Sequence, residues 1–349
     1  MTREPSLDEI ADTAAQLDDL RSTVQRIVEQ AWSAGRTRAL LDDPAPAFDE
    51  NLCATVAEMG WPDVLVAESH GGGGGGIREL CVLTEAIGTV VAPVPLAIAA
   101  AANWCQRRCG SGITVLLDGV DATMSDDGVC GHWQLVPYGA VADHLVVLAS
   151  RHGEFVLGTV DVAGDGVQRR TECPLDHSPA ASIVVDAAPF QEIATGTEAV
   201  NRHRDAVARA RLATVAELIG TASAAHHAAV DYAKMRVTFG RPIGARQAIK
   251  HRLVEQRSVI EVARALVHRA ADALELQHPD AEALVSLAVF WAIDTLRRIP
   301  EGATQVFGGI AYTWEHDAHV YLRRAATLAA TLGTRAQHRD VVADWLRSR

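Results

Sequence analysis

The period of the apolar residues changes twice along this chain, and that limits the folds open to it more than any single motif does. From about residue 5 to 108, apolar residues such as Ile10, Leu17, Leu20, Val24 and Ile27 return at helical spacing. The stretches "FDENLCATVAEMGW" and "IRELCVLTEAIGTVV" continue that pattern. From about 110 to 190 the pattern turns to short β-branched runs. "ITVLLDG", "HLVVLAS", "EFVLGTVDV" and "ASIVVDAA", bounded by Gly, Asp and Pro, read as strands, and "HWQLVPYGAVAD" as a strand and a turn. From about 198 long helices return. Leu253, Ile260, Val267 and Leu274 recur at every seventh position, a seam suited to antiparallel helices in a bundle. Pro242 interrupts the pattern, and Pro300 with Gly302 interrupts it again, which predicts four main helices. The chain thus reads as mainly α with a small middle β domain: a helical domain over 1–108, a β domain over 109–195 and a helical bundle over 196–349.

At 349 residues the chain can build two or three domains with sizeable cores. Its net charge of −12 argues against nucleic acid, which wants a basic face. A local arginine cluster can still hold an anionic small molecule. The longest apolar candidate, "VVAPVPLAIAAAANW", is broken by Pro93 and Pro95 and falls short of the roughly 18 residues of a membrane span. The acidic N-terminus lacks the basic-then-apolar pattern of a secretory signal, so the expected location is the cytoplasm, away from any membrane. Of six scattered cysteines only Cys105 and Cys109 are close, and no second pair completes a zinc site. Buried free thiols are expected.

Six consecutive glycines, Gly71 to Gly76, allow a tight turn, a linker or a phosphate cradle. No lysine follows them as a phosphate loop requires, and helical patterns flank them on both sides. A turn fits best, with the other two still open on local grounds.

Two clusters carry potential chemistry. "MRVTFGRPIGARQAIKHRL" spans 235–253, with a helix ending near Phe239–Gly240 and a new one carrying Gln247, Lys250 and His251. Arg236, Arg241, Arg246, Lys250 and Arg252 suit a pyrophosphate-bearing ligand through paired hydrogen bonds. They equally suit helix termini, whose carbonyls and dipole attract cations. "ATQVFGGIAYTWEHDAHVYLRRA" spans 303–325, where Gly308 and Gly309 let a cofactor approach the main chain. His316 and His319 lack a matching third ligand, so no metal is expected. No nucleophile motif is present.

These stretches resemble the acyl-CoA dehydrogenase superfamily, flavoenzymes with a helical domain, a β domain and a C-terminal four-helix bundle in that order. "YAKMRVTFGRPIGARQAIKH" is similar to the family's YxxxRxxFGxPixxxQxxxH junction, "QVFGGIAYT" to its Q-x-x-GG-x-G-[FY]-T segment, and "GWPDVLVAESHGGGGGG" to its GWxxLxxPExxGGxG turn. The resemblance makes the glycine run a lengthened turn. It implies FAD at a subunit interface, with Arg236, Phe239, Gln247, Gln305, Gly308 and Gly309 facing the pyrophosphate and adenosine part of a neighbouring subunit's flavin. It also implies Arg211 as a substrate-side arginine.

Family members take the α-proton of a CoA thioester with a glutamate while hydride leaves the β-carbon for the flavin. The two positions that hold this glutamate read Leu332, in "LGT", and Ala210, before Arg211. Neither side chain accepts a proton. Glu217, about two turns beyond Arg211, is the one candidate for a relocated base. The "TEPxxGSD" loop is replaced around "VLLDGVDATMSDDG", and the "W-I-T" strand reads Gln134, Leu135, Val136, Pro137. The motifs that would serve a neighbour's FAD survive, whereas those that would hold the chain's own are lost. The expected protein is therefore a subunit of a heteromeric acyl-CoA dehydrogenase, beside a homologous base-bearing chain, resembling the short subunits of actinobacterial enzymes acting on steroid side chains as CoA thioesters. A self-sufficient homo-oligomeric dehydrogenase using Glu217, and a non-catalytic acyl-CoA-binding scaffold, are the alternatives.

Overall fold

Two glycines set how closely the longest helix lies against its neighbour. In a computed structural model describing residues 7–119 and 121–349, with side chains from residue 15 onward, α4 (Ile77–Val90) crosses α6 (Gly196–Met235) at Gly88 and Gly220. A Cβ on Gly220 would lie 1.9 Å from the Glu85 carbonyl oxygen, and one on Gly88 2.1 Å from that of Glu217. The backbones meet because neither helix carries a side chain there. Residues 1–6, within the N-terminus read above as lacking a secretory signal, the Ile10 side chain and Val120 lie outside the described residues.

Before this crossing come α1 (Leu7–Ala31), α2 (Ala34–Leu40) and α3 (Glu50–Glu58), and α5 (Leu96–Gln106) follows α4. The glycine run is a turn. Gly73 N–H donates to the Asp63 carbonyl, Gly74 to Val66 and Gly75 to Val64, so the run folds back on the segment before it. A Cβ on Gly72 would meet Val66 at 2.3 Å. Such close backbone contact is a packed turn's geometry, not a linker's.

The β domain holds β1 (Thr114–Leu116), β2 (Ala122–Ser125), β3 (Gly128–Val136), β4 (His144–Arg151), β5 (Glu154–Asp161), β6 (Val167–Glu172), β7 (Ala180–Ala188) and β8 (Gln191–Thr195). They form one sheet in the order β6-β7-β3-β2-β4-β5-β8, with β1 parallel to β4. Every strand expected from the β-branched runs is present. The sequence reading missed β2, β6 and β8, which carry mostly exposed or half-buried side chains and little apolar alternation.

The C-terminal part differs from the expected four helices. After α6 the chain makes a small hairpin of β9 (Val237–Thr238) and β10 (Arg241–Pro242), so the helix stops at Met235, ahead of Phe239. Then follow α7 (Gln247–Glu275), α8 (Ala281–Thr295), α9 (Arg298–Phe307), α10 (Ala318–Thr331) and α11 (Arg335–Arg347). Pro300 and Gly302 do not break a helix. Pro300 lies in the first turn of α9, where a missing N–H costs little, and Gly302 leaves room for the Gln256 amide. The break falls earlier, at Leu296–Arg297. The heptad positions Leu253, Ile260, Val267 and Leu274 are all buried.

Among the described residues no helix is long and apolar enough to cross a membrane. Six cysteines are free; Cys81 and Cys105 are buried as expected, but Cys173 is exposed.

The crossing makes a direct prediction. Gly220→Ala should raise helix propensity by about 1 kcal/mol yet lower stability by about 1–3 kcal/mol, because the new methyl overpacks the contact. Urea unfolding reads the sign, and a stabilised variant would show that the helices can part freely.

Candidate functional site

The two motifs that the family resemblance singled out meet at one end of the bundle. Ala233 of α6, Leu253 of α7, Val306 and Phe307 of α9, and Ala311 share a core cluster there, with Ile243 and Ile249 packed against it. Tyr232 and Phe307 stack edge-on at 5.3 Å between ring centroids. The segments bearing Arg236, Phe239 and Gln247, and Gln305, Gly308 and Gly309, are thus held by common packing.

Their surface is built to meet something. Phe239 is 95% exposed and sits at φ +51°, a left-handed conformation that is costly for a bulky residue. Met235 and Val237 beside it are exposed as well, and apolar exposure of this kind is common at sites that bind another molecule. Arg246 lies 5.4 Å from the Phe239 ring centroid. Arg236 and Gln247 are exposed, as is Gln305. Among the described residues Arg236, Arg241, Lys250 and Arg252 form no salt bridge, so their charge remains available to an anion. A Cβ on Gly308 or Gly309 would meet nothing within 4 Å, and Gly308 adopts φ +68°. Unpaired guanidinium groups beside open glycine backbone fit a dinucleotide pyrophosphate.

Arg211 lies elsewhere. It is separated from Arg236 by more than half of α6, about 37 Å along the axis at 1.5 Å per residue. One dinucleotide within one chain does not span that distance. Around Arg211 gather the positions where a base is expected. Leu332 is buried, and its carbonyl accepts from His338 Nε2 at 2.8 Å. Arg211 and Asp118 both act electrostatically on His338. Ala210 is half-buried. The Arg211 guanidinium is itself engaged, donating to Asp118 Oδ2 at 2.6 Å. His203 donates to the Leu117 carbonyl at 2.7 Å next to that pair.

Glu217 has a different environment from that of a free base. Arg324 Nε donates to its Oε1 at 2.9 Å, and Arg324 Nη2 donates to the same oxygen. Arg324 Nη1 donates to Asp176 Oδ2 at 2.8 Å, and Nη2 to the Tyr138 hydroxyl at 3.1 Å. Asp176 Oδ1 accepts from the Ser178 hydroxyl and N–H. All four side chains are buried. Burial opposes the charge on Arg324, but Glu217, Tyr138 and Asp176 outweigh it and hold the guanidinium charged well above its ordinary range. Burial, with a smaller push from the nearby Asp176 carboxylate, moves the Glu217 carboxyl up, against the pull of Arg324. The sequence reading missed this network. The arginine pair at 323–324 was visible, but nothing local points to partners more than a hundred residues away.

His316 packs on Phe307 at 4.5 Å between centroids, and His319 stacks on Trp314 at 4.6 Å. Among the described residues no three His, Cys, Asp or Glu side chains are arranged to hold a metal ion.

Comparison with known proteins identifies the class. The acyl-CoA dehydrogenase N-terminal domain profile matches residues 14–111, and the C-terminal domain profile residues 200–347. Acyl-CoA dehydrogenase IpdE2 of Mycolicibacterium smegmatis is 30% identical over 315 residues, 90% of this chain and 93% of its own. FadE34 of Mycobacterium tuberculosis is 32% identical over 348 residues; the match takes in 93% of this chain but spans only 47% of FadE34. Among solved structures, the Tcur3481-Tcur3483 steroid ACAD, G363A variant, matches at TM-score 0.86 with 26% identity over 96% of this chain and 98% of that one. The ChsE4-ChsE5 complex of Mycobacterium tuberculosis shares the fold at TM-score 0.83 and 22% identity, over 95% of this chain and 97% of that one. The chain belongs to the acyl-CoA dehydrogenase family.

Two predictions follow from this geometry. Arg324→Ala strands two buried carboxylates and should cost about 3–5 kcal/mol in urea unfolding; a loss under about 1 kcal/mol would mean that the network is solvated. Burial holds His203 and His338 below the ordinary 6.5. Between the folded and unfolded values the unfolded chain binds more protons, so stability rises with pH. Their contribution is complete above pH 6.5 and is lost on acidification through the folded values. The urea midpoint should fall between pH 7.5 and 5.5, and His203→Gln with His338→Gln should flatten that fall. An unchanged slope would contradict the assignment.

Proposed function

We propose that this chain is the partner subunit of a heteromeric acyl-CoA dehydrogenase, completing the FAD site of a homologous, base-bearing chain. The observation that carries the proposal is the asymmetry along α6. At one end, Arg236, Phe239, Gln247, Gln305 and Gly309 are exposed, and half-buried Gly308 has open space where a Cβ would lie, so this end is open to a ligand from outside the chain. At the other, about 37 Å away, the positions for the proton-abstracting group hold Leu332 and Ala210.

Each residue at the open end has a role its chemistry permits. Arg236 would pair with pyrophosphate oxygens, Phe239 would cover the adenosine part, and the main chain at Gly308–Gly309 would admit close approach. Gln247 and Gln305 would supply neutral hydrogen bonds. FAD, when bound, supplies the hydride acceptor; the glutamate that takes the α-proton would belong to the other chain.

A CoA thioester is the substrate class of the pair, and a steroid side chain is the acyl group we favour. Support comes from the steroid ACAD named for two components, Tcur3481 and Tcur3483, and from the two-component ChsE4-ChsE5 complex. FadE34, in which a region like this chain occupies about half the length, fits the same pattern. A self-sufficient enzyme using Glu217 is disfavoured because Arg324 occupies that carboxylate in a buried pair.

The test is co-expression with a base-bearing homologue, followed by purification of the complex. Arg236→Ala should lower flavin retained per complex and dehydrogenase activity together, by about tenfold or more if one charge-assisted contact of 1.5–3 kcal/mol is lost. Unchanged flavin content and activity would sink the interface role.

A further inference from the structure

We infer that Arg324 closes this chain's own acyl slot, its ion pair with Glu217 filling the depth that an acyl tail would need. The inference rests on reading Ala210, Arg211 and Leu332 as the substrate-side positions.

Helical spacing puts Ala210, Thr214, Glu217 and Thr221 on one face of α6. Exposure falls along that face: Ala210 and Thr214 are half-buried, whereas Glu217 and Thr221 are buried. On α10 and its C-terminal cap, Leu332, Leu328 and Arg324 lie on one face in the same way, and all three are buried. The two faces meet at the Arg324–Glu217 pair. An acyl tail entering along this face from Ala210 and Thr214 would therefore meet, about two helical turns in, charges instead of apolar side chains.

That floor is fixed from the third side. Asp176 and Tyr138 of the β domain both bond to Arg324, so bundle and sheet are joined across the seam. The space beside Asp176 and Arg324, lined also by Thr37, Val91 and Ser178, is a cavity of about 10 Å³, the size of one water. An apolar tail following this face would have to part a buried ion pair and leave its charges unpaired, which is strongly unfavourable. A chain so closed has no use for a base at Leu332 or Ala210.

The experiment uses the full-length chain carrying Thr214→Cys, half-buried at the entrance of this face, with alkylation of the new thiol followed by peptide mass spectrometry and exposed Cys173 as internal reference. Octanoyl-CoA should leave the alkylation rate unchanged while the ion pair is intact. Emptying the slot with Glu217→Ala and Arg324→Ala in the same background should allow protection of about tenfold at octanoyl-CoA tenfold above its dissociation constant. Leu328→Ala, which widens the seam above the ion pair and removes no charge, should allow protection by butanoyl-CoA but not by octanoyl-CoA; this covers the case in which the double variant does not fold. Protection by octanoyl-CoA with the pair intact would overturn the inference, as would a folded double variant that octanoyl-CoA never protects. Equal protection of Leu328→Ala by both thioesters would also overturn it. The flavin content of the same samples separates the two proposals: flavin bound by the lone chain overturns the partner-subunit reading whatever the thiol does.

Discussion

One continuous helix fixes the distance between what this chain offers outward and what it has closed inward. At 40 residues, α6 is about 60 Å of rigid rod. The Gly88–Gly220 contact clamps its middle to α4, and its N-terminal half packs on the sheet through Ala199, Ala206 and Val207. Arg211 and Arg236 therefore cannot converge on one ligand inside the chain. A ligand held at Arg236 and one held at Arg211 of the same chain are separate.

The same helix presents Glu217 to Arg324 in a buried pair that joins the bundle to the β domain. A guanidinium between two buried carboxylates and a phenol is stable only when complete. Its satisfied geometry ties the middle domain to the bundle through Asp176 and Tyr138. On the inference drawn above, this polar hub stands where an acyl tail would need apolar depth, in keeping with Leu332 and Ala210 at the positions proposed for the base.

Much of the fold was legible because its signals are local. The seventh-residue spacing from Leu253 to Leu274, the β-branched runs around 145 and 157, and the glycine turn all report backbone geometry over a few residues. Signals that depend on distant contacts were not. The strands β6 and β8 carry few apolar side chains, so alternation is missing from their sequences. Pro300 read as a breaker because its position in the first turn of a helix depends on where that helix starts. At the candidate site, Arg236, Phe239 and Gly308–Gly309 were singled out by sequence motifs, whereas the partners of Arg324 emerge only when Asp176 and Glu217, 148 and 107 residues away, are brought beside it.

The central claim is that this chain completes another chain's flavin site and holds none of its own. The most direct measurement is the visible spectrum and flavin-to-chain ratio of the protein purified alone and then with a base-bearing homologue. The account predicts no bound flavin in the lone chain and about one flavin per pair of unlike chains in the complex. About one flavin per chain in the protein alone would contradict it.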